Sequence, residues 1–321
     1  MHYSLIEVVQ RIFKDDLFVI VDGGARNGTK EVPRLHPLSC IFGFEPNAKE
    51  FAKLKSTPSS ISIGRGTVIN YPVALTKEDG EISLYITLRP GSTSTLIPDA
   101  SYLKHFSLDN FSEMSCVMSE EKVPSMRLNT FMKKNSLNYI DLLKLDTQGN
   151  ELDILMSSDG MIDKIEVIRT EVEFVPIYKN QPLFHDICNF LYKHGFELID
   201  LQWSEACKRF HARSDLGPDA YRLVWGDAVF VRTPLDFSKE RLFSQSIVLA
   251  EMGYRDLAIY QIRNNPRLNQ LEKENLEHLY SDQYKQSTLK RRLRDFIVIY
   301  FGFKVDRCPS DRQVISMKKR P

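Results

Sequence analysis

At 321 residues the chain is long enough to bury a full α/β core with an appendage, and its formal net charge of +1 gives no global pull toward nucleic acid or membrane. Cys40, Cys116, Cys188, Cys207 and Cys308 are odd in number and lack CxxC or Cys/His spacing, so neither a zinc site nor a disulfide framework follows. The opening MHYSLIEVVQRIFKDD is too broken by charge for a signal peptide and no apolar run reaches the roughly 18 residues of a membrane span, which makes a reducing cytoplasm the expected compartment.

That opening stretch reads as an amphipathic helix leading into a first strand. Phe18, Val19, Ile20 and Val21 are bulky or β-branched without a polar break, as in a parallel strand buried on both faces. Asp22 ends the run, and Gly23, Gly24, Ala25 and Gly28 form a turn whose glycines let backbone approach a ligand closely. Two cofactor classes compete for such a cradle. The dinucleotide fingerprint faces a pyrophosphate, which a carboxylate repels; the D-x-G-x-x-x-G pattern here suits a cationic cofactor with an ammonium end, of which S-adenosylmethionine is the common one. A nicotinamide-dependent oxidoreductase stays as the alternative. Residues 27–35 are expected to form the helix whose amides face the cofactor, kept short by Pro33 and Pro37. Residues 41–44 read as a second strand ending in Glu45, about twenty residues after the glycines, where a carboxylate can accept both ribose hydroxyls. Glu45-Pro46-Asn47 also reads as an ordinary helix start, with residues 48–54 the helix.

TVINYPVAL (67–75) alternates like one strand, and Glu78-Asp79-Gly80 predicts a turn into a hairpin partner over residues 81–87. The hydroxyl-rich GSTSTL (91–96) includes Ser92, Thr93 and Ser94. It reads either as a loop that binds a polyhydroxylated acceptor or as plain polar surface. Residues 99–121 have little periodicity, as a lid or an irregular insertion would. Residues 139–145 form the fourth strand, which ends in Asp146 at the crevice where open α/β sheets bind ligands. Lys144 is placed to pair with Asp146 or Glu151, and a helix starts near Asn150. The fifth strand, 165–174, sets Glu171 and Glu173 on one face by alternation, pointing into the crevice or toward solvent. His185 opens the helix 184–194 as a titratable or merely structural group. Residues 196–201 and 227–232 close the sheet as an antiparallel pair, with a long polar connection over 203–224. From residue 235 helices alone are expected, with Leu242, Ile247, Leu249, Leu257 and Ile262 repeating around Gly253 like one tetratricopeptide-type pair. This part holds 17 basic and 11 acidic residues against 26 and 31 before it. The basic stretch at 290–294 ahead of FIVIYFGF reads as a core helix with a solvated face, or as a contact for a membrane surface or an acidic carrier.

VDGGARNG, FGFEPN, KLDTQGNELDIL and EVEFVPIYKNQPLFHDICNFLYKHGFEL, in this order, resemble the FkbM-type family of S-adenosylmethionine-dependent methyltransferases over roughly residues 18–233. The resemblance implies a Rossmann-like methyltransferase fold, methyl transfer to a hydroxyl, often on a sugar or secondary metabolite, and a base pocket near Val73 and Ala74. Two departures are visible: Asn129 where the family more often has Asp, and Gln148 where it often has Glu.

The expectation is therefore a doubly wound, Rossmann-like α/β domain over residues 1–234, its last strand antiparallel, plus an all-helical appendage over 235–321. The function expected is O-methylation of a hydroxyl-bearing small molecule or glycan precursor, without metal or nucleic acid. Asp22, Gly23, Gly24, Ala25, Gly28, Glu45 and Ala74 are the cofactor candidates. Ser92, Ser94 and Glu171 are the acceptor candidates, and Asp146, Glu173 and His185, in that order, the candidates for general base. No aromatic cluster reads as a stacking platform, which disfavours a flat phenolic acceptor. The rival is a non-catalytic scaffold whose helical tail recruits a partner, with a homodimer contact as a further role for that tail.

Overall fold

The structure, a computed structural model, describes residues 17–56, 66–104, 111–203, 223–233 and 238–266 and a few positions beyond. The chain divides into two compact units, one of them Asp16–Asp236. Its strands are β1 (Phe18–Gly23), β2 (Ser39–Phe44), β3 (Thr67–Tyr71), β4 (Ala74–Leu75), β5 (Gly80–Thr87), β6 (Val117–Met126), β7 (Ile140–Leu145), β8 (Ile165–Glu173), β9 (Phe196–Trp203) and β10 (Trp225–Arg232). Seven of them build one twisted sheet in the order β3-β2-β1-β7-β8-β10-β9. Its neighbours are parallel except around β10, which runs antiparallel to both β8 and β9 and is inserted between them. The doubly wound class and the antiparallel last strand are as the sequence predicts. β1 and β7 are buried along their length save for Lys144, which is why they read as unbroken apolar runs. Phe42, Phe44, Phe131, Leu143, Ile154, Ile168 and Leu191 belong to the main core cluster.

Three local expectations are corrected. Residues 27–35 do not form a helix; Asn27, Gly28 and Val32 take left-handed backbone (φ 69°, 74° and 40°), and only a 3-10 turn at His36–Leu38 follows. The turn after β1 is therefore not itself a helix N-terminus. The 67–75 run is broken by Pro72, which has no N–H for the ladder, so β3 stays in the large sheet while β4 enters a second, three-stranded sheet ordered β4-β6-β5. β5 consequently does not pair with the strand before it. Its partner is β6, and Asp79 in the turn accepts hydrogen bonds from the Arg127 N–H (2.9 Å) and the Thr130 hydroxyl (2.6 Å), tying the turn to helix Leu128–Lys134.

The other unit contains helices α1 (Lys239–Met252) and α2 (Arg255–Arg263). Gly253, at φ 104°, ends α1 in left-handed geometry and lets the second helix turn back. Ile247, Val248, Leu249, Ala258 and Ile262 are buried in it, matching the helical spacing. No helix of the described residues is long and apolar enough to cross a membrane. The N-terminal helix, the polar connection over 204–222 and the basic segment at 290–294 lie outside the described residues.

Candidate active site

At the carboxyl ends of β1, β2, β7 and β8 the main sheet opens into a cavity of about 370 Å³, closed on the far side by residues 89–95 and the three-stranded sheet. Its position is the ligand crevice of an open α/β sheet.

The cofactor side is built on the turn after β1. Gly24 has φ 87°, and a Cβ there would overlap the Asp146 carbonyl, so only glycine lets β1 and the segment after β7 approach this closely. Gly28 and Ala74 line the cavity beside Phe44, Val73 and Leu75, an apolar wall of the kind a flat base occupies. Glu45 is buried at the end of β2, and its Oε1 accepts the Asn47 N–H at 2.8 Å. Burial, opposed by that hydrogen bond and reinforced by the nearby Glu50 charge, pushes its carboxyl up to about 7.

Other cradle residues take different parts from those expected. Asp22 is 1% exposed; its Oδ2 accepts the Thr29 hydroxyl at 2.7 Å and its Oδ1 lies 3.0 Å from Lys144 Nζ. Its countercharge is internal, so it is not a free carboxylate waiting for an ammonium. Gly23 is outside the cavity lining, and a Cβ there would press on the Leu145 side chain at 2.9 Å; its smallness serves strand packing. Ala25 packs with Phe51 and Leu54, and the Gly24 and Ala25 amides both donate to the Phe44 carbonyl (3.1 and 2.9 Å).

On the opposite side four carboxylates gather. Asp146 follows β7; burial opposes its ionisation, but the Lys144 charge and the Gln148 hydrogen bond win and hold it below the ordinary range. Lys144 lies 3.5 Å from it and pairs with Asp22, not Glu151. Glu151 instead ties the turn, accepting the Thr147 N–H (2.6 Å), the Thr147 hydroxyl (2.9 Å) and the Gly149 N–H (2.9 Å). Glu171 and Glu173 both line the cavity, as alternation along β8 places them. Burial, together with the charges of Asp146 and Glu173 on Glu171 and of Glu151 and Asp146 on Glu173, pushes both well above the ordinary carboxylate range.

Gln148 joins this group. Held at φ 64°, it donates from Nε2 to Asp146 Oδ1 at 2.9 Å and to Glu171 Oε2, and its Oε1 accepts the Tyr178 hydroxyl at 3.0 Å. Ser92 and Ser94 line the cavity; the Ser94 hydroxyl is committed to the Gln148 carbonyl (2.6 Å), whereas at Ser92 it is the backbone carbonyl that accepts from Tyr178 (3.1 Å). Among the described residues, the Thr93 and Thr95 hydroxyls are buried in this segment without a hydrogen-bond partner. His185 is a correction: its side chain is 75% exposed, lies 3.5 Å from Asp186 and is absent from the lining, because the first turn of helix Phe184–Lys193 presents it to solvent. Among the described residues no group of His, Cys, Asp and Glu side chains is arranged to hold a metal ion.

Sequence reasoning missed Tyr178 and Trp225; it read Gln148 only as a departure from the family pattern and Thr93 and Thr95 only as part of the hydroxyl-rich loop. Gln148 carried a signal in its place between Asp146 and a glycine; Tyr178 and Trp225 reach the cavity through long-range pairing.

Residues 22–198 match the family described as Methyltransferase FkbM domain. Over 165 residues the chain is 28% identical to Methyltransferase 1 of Beauveria bassiana (strain ARSEF 2860), covering 48% of this chain and 65% of that protein. Over 197 residues it is 25% identical to 2-O-methyltransferase NoeI of Sinorhizobium fredii (strain NBRC 101917 / NGR234), covering 60% and 77%. Among solved structures, precorrin-6y C5,15-methyltransferase from Geobacter metallireducens GS-15 overlaps 70% of this chain and 85% of that chain at 11% identity, with a TM-score of 0.32. An overlap that loose carries no functional argument.

Proposed function

Because the chain belongs to the FkbM methyltransferase family, we propose that it transfers the methyl group of S-adenosylmethionine to a hydroxyl oxygen of a sugar or glycan precursor. The observation that carries this reading is the Asp146–Gln148–Glu171 group, in which one amide nitrogen binds two carboxylates at adjacent strand ends inside the cavity. The cofactor side fits: Phe44, Val73, Ala74 and Leu75 offer an apolar wall to the base, Glu45 a carboxylate to the ribose, and Gly24 the close backbone approach.

When bound, S-adenosylmethionine supplies a methyl group activated by a sulfonium centre. The chain's task is then to hold one acceptor oxygen in line with that methyl and to receive the hydroxyl proton. Asp146, kept ionised by Lys144, accepts the hydroxyl hydrogen bond and orients the oxygen. Glu171, whose environment favours its protonated form, keeps its own proton and leaves Asp146 as the ionised member that takes the hydroxyl proton, and the coupled pair titrates in two macroscopic steps. Gln148 fixes their separation. The likeness to a 2-O-methyltransferase supports the choice of oxygen as the methylated atom.

Labelled-methyl transfer over oligosaccharides, sugar nucleotides, phenols and amines tests the reading. Asp146→Asn and Glu171→Gln should each lower kcat by roughly 10²–10⁴-fold, with S-adenosylhomocysteine affinity changed less than about threefold. A product methylated on nitrogen or carbon, or full turnover in both variants, overturns it.

A further inference from the structure

Glu173 is left over from that chemistry. It ends β8, is 1% exposed, and its Oε2 has no hydrogen-bond partner although the residue lines the cavity. The groups whose charges bear on it, Glu151 and Asp146, are acids, Glu171 lies two residues away on the same strand face, and the one favourable neighbour is the neutral Gln181 amide, which brings no countercharge. Two nearby cations are engaged elsewhere, Lys144 with Asp22 and Asp146 and Arg169 with Glu31 (3.6 Å) and Asp227 (3.5 Å), and Arg26, Lys30 and Arg89, which also line the cavity, form no salt bridge with Glu173. Among the described residues neither Glu171 nor Glu173 forms a salt bridge. Without a counterion the buried acid keeps its proton, as burial and the neighbouring acids dictate; an ammonium group arriving beside it supplies the countercharge that lets it ionise, with release of one proton, which a neutral hydroxyl cannot do.

Directly across the ladder from Glu173 stands Trp225, the first residue of β10, which also lines the cavity. Cross-strand partners project to the same side of a sheet. An aromatic ring beside an uncompensated carboxylate is the pairing that recognises an ammonium group, the ring through its quadrupole and the acid through a charge-assisted hydrogen bond. The Thr93 and Thr95 hydroxyls, buried in the lining without partners, supply polar contacts for the rest of a hydroxylated ring.

Resting on the O-methylation reading, we propose that Glu173 and Trp225 form a subsite for a protonated amine on the acceptor, so that the saccharide this chain takes is an amino sugar. The methyl still goes to oxygen at the Asp146–Glu171 pair, and the amine is held at the other acid.

Binding measured without turnover separates this from the reading beneath it. The full chain, saturated with S-adenosylhomocysteine, is titrated calorimetrically with methyl glycosides bearing a free amine at carbon 2, 3, 4 or 6, each paired with its N-acetyl and hydroxyl counterparts. At least one amine should bind about tenfold more tightly than both counterparts, and Glu173→Gln should abolish that preference. Trp225→Leu should reduce it, and for the wild-type chain it should fade as the pH rises past the titration of the sugar amine, a readout that needs no variant. Equal affinity across every triplet, or a preference unchanged in Glu173→Gln, overturns the amine subsite. O-methylation of neutral sugars with no amine preference would overturn it too while leaving the O-methyltransferase reading standing.

Discussion

On the proposed ribose role of Glu45, a carboxyl pushed up to about 7 makes cofactor binding proton-linked. Its ordinary value is 4.5, so between that and about 7 the folded chain holds a proton that the unfolded chain has released. Stability attributable to this residue therefore falls as pH rises through that window. Cofactor affinity moves the other way, because the ionised form can accept both ribose hydroxyls. S-adenosylhomocysteine should bind more tightly from pH 6 to pH 8, with proton release visible as a buffer-dependent calorimetric enthalpy; Glu45→Gln should flatten both. Affinity independent of pH in the wild-type chain would remove Glu45 from the ribose. Asp22 behaves differently, because its carboxylate faces Lys144. Substituting Asp22→Asn leaves a buried ammonium short of one counterion, and chemical denaturation should show a loss of about 3 kcal/mol, with S-adenosylhomocysteine affinity nearly unchanged. A variant of normal stability with weakened binding would restore the ammonium role that the sequence suggests. The two acids were equally legible as strand-end residues. What separates them is Lys144, 122 positions from Asp22 in sequence and adjacent to it through the β1–β7 pairing.

At the level of elements, legibility followed the local physics. β1, β2, β7 and β8 could be read because strands buried on both faces must be continuously apolar. Residues 27–35 misled because glycine and proline spacing resembles a helix entry, whereas left-handed Asn27 and Val32 commit the backbone to turns. The insertion of β10 between β8 and β9 is set by pairing across the long connection, which no local pattern encodes, and it is what brings Trp225 opposite Glu173. The segment 89–95 is pinned across the cavity by Tyr178, whose buried hydroxyl serves both the Ser92 carbonyl and Gln148 Oε1. Removing that hydroxyl loosens the loop and the hub together, while the Ser94 hydroxyl on the Gln148 carbonyl and the Tyr85–Ser94 backbone pairing keep the segment in place. Tyr178→Phe should cost about 1–2 kcal/mol of stability and raise the acceptor KM more than it changes cofactor affinity. If the acceptor KM does not move, the segment is not part of the acceptor site.

Across the whole molecule, every residue that lines the cavity falls between Asp22 and Trp225, within the unit Asp16–Asp236. That unit has its own core clusters. The helical pair was legible because its apolar residues keep a 3.6-residue period on either side of a left-handed glycine. Its charge was legible as well: 17 basic residues against 11 acidic from 235 onward. What that unit touches is not encoded in periodicity. If the rival reading were right, with the α/β unit a scaffold and the tail the working part, removing the tail would abolish the activity that matters. A fragment of residues 16–236 should instead bind S-adenosylhomocysteine within about threefold of the full chain and keep methyl transfer to small acceptors. Any loss should appear with large or carrier-linked acceptors, through the tail's excess positive charge, and should shrink as ionic strength rises and screens it. A folded fragment with native cofactor affinity but no transfer to any acceptor would make the second unit part of the catalytic assembly, and limited proteolysis of the full chain with and without S-adenosylhomocysteine would show whether the α/β unit holds its fold once severed.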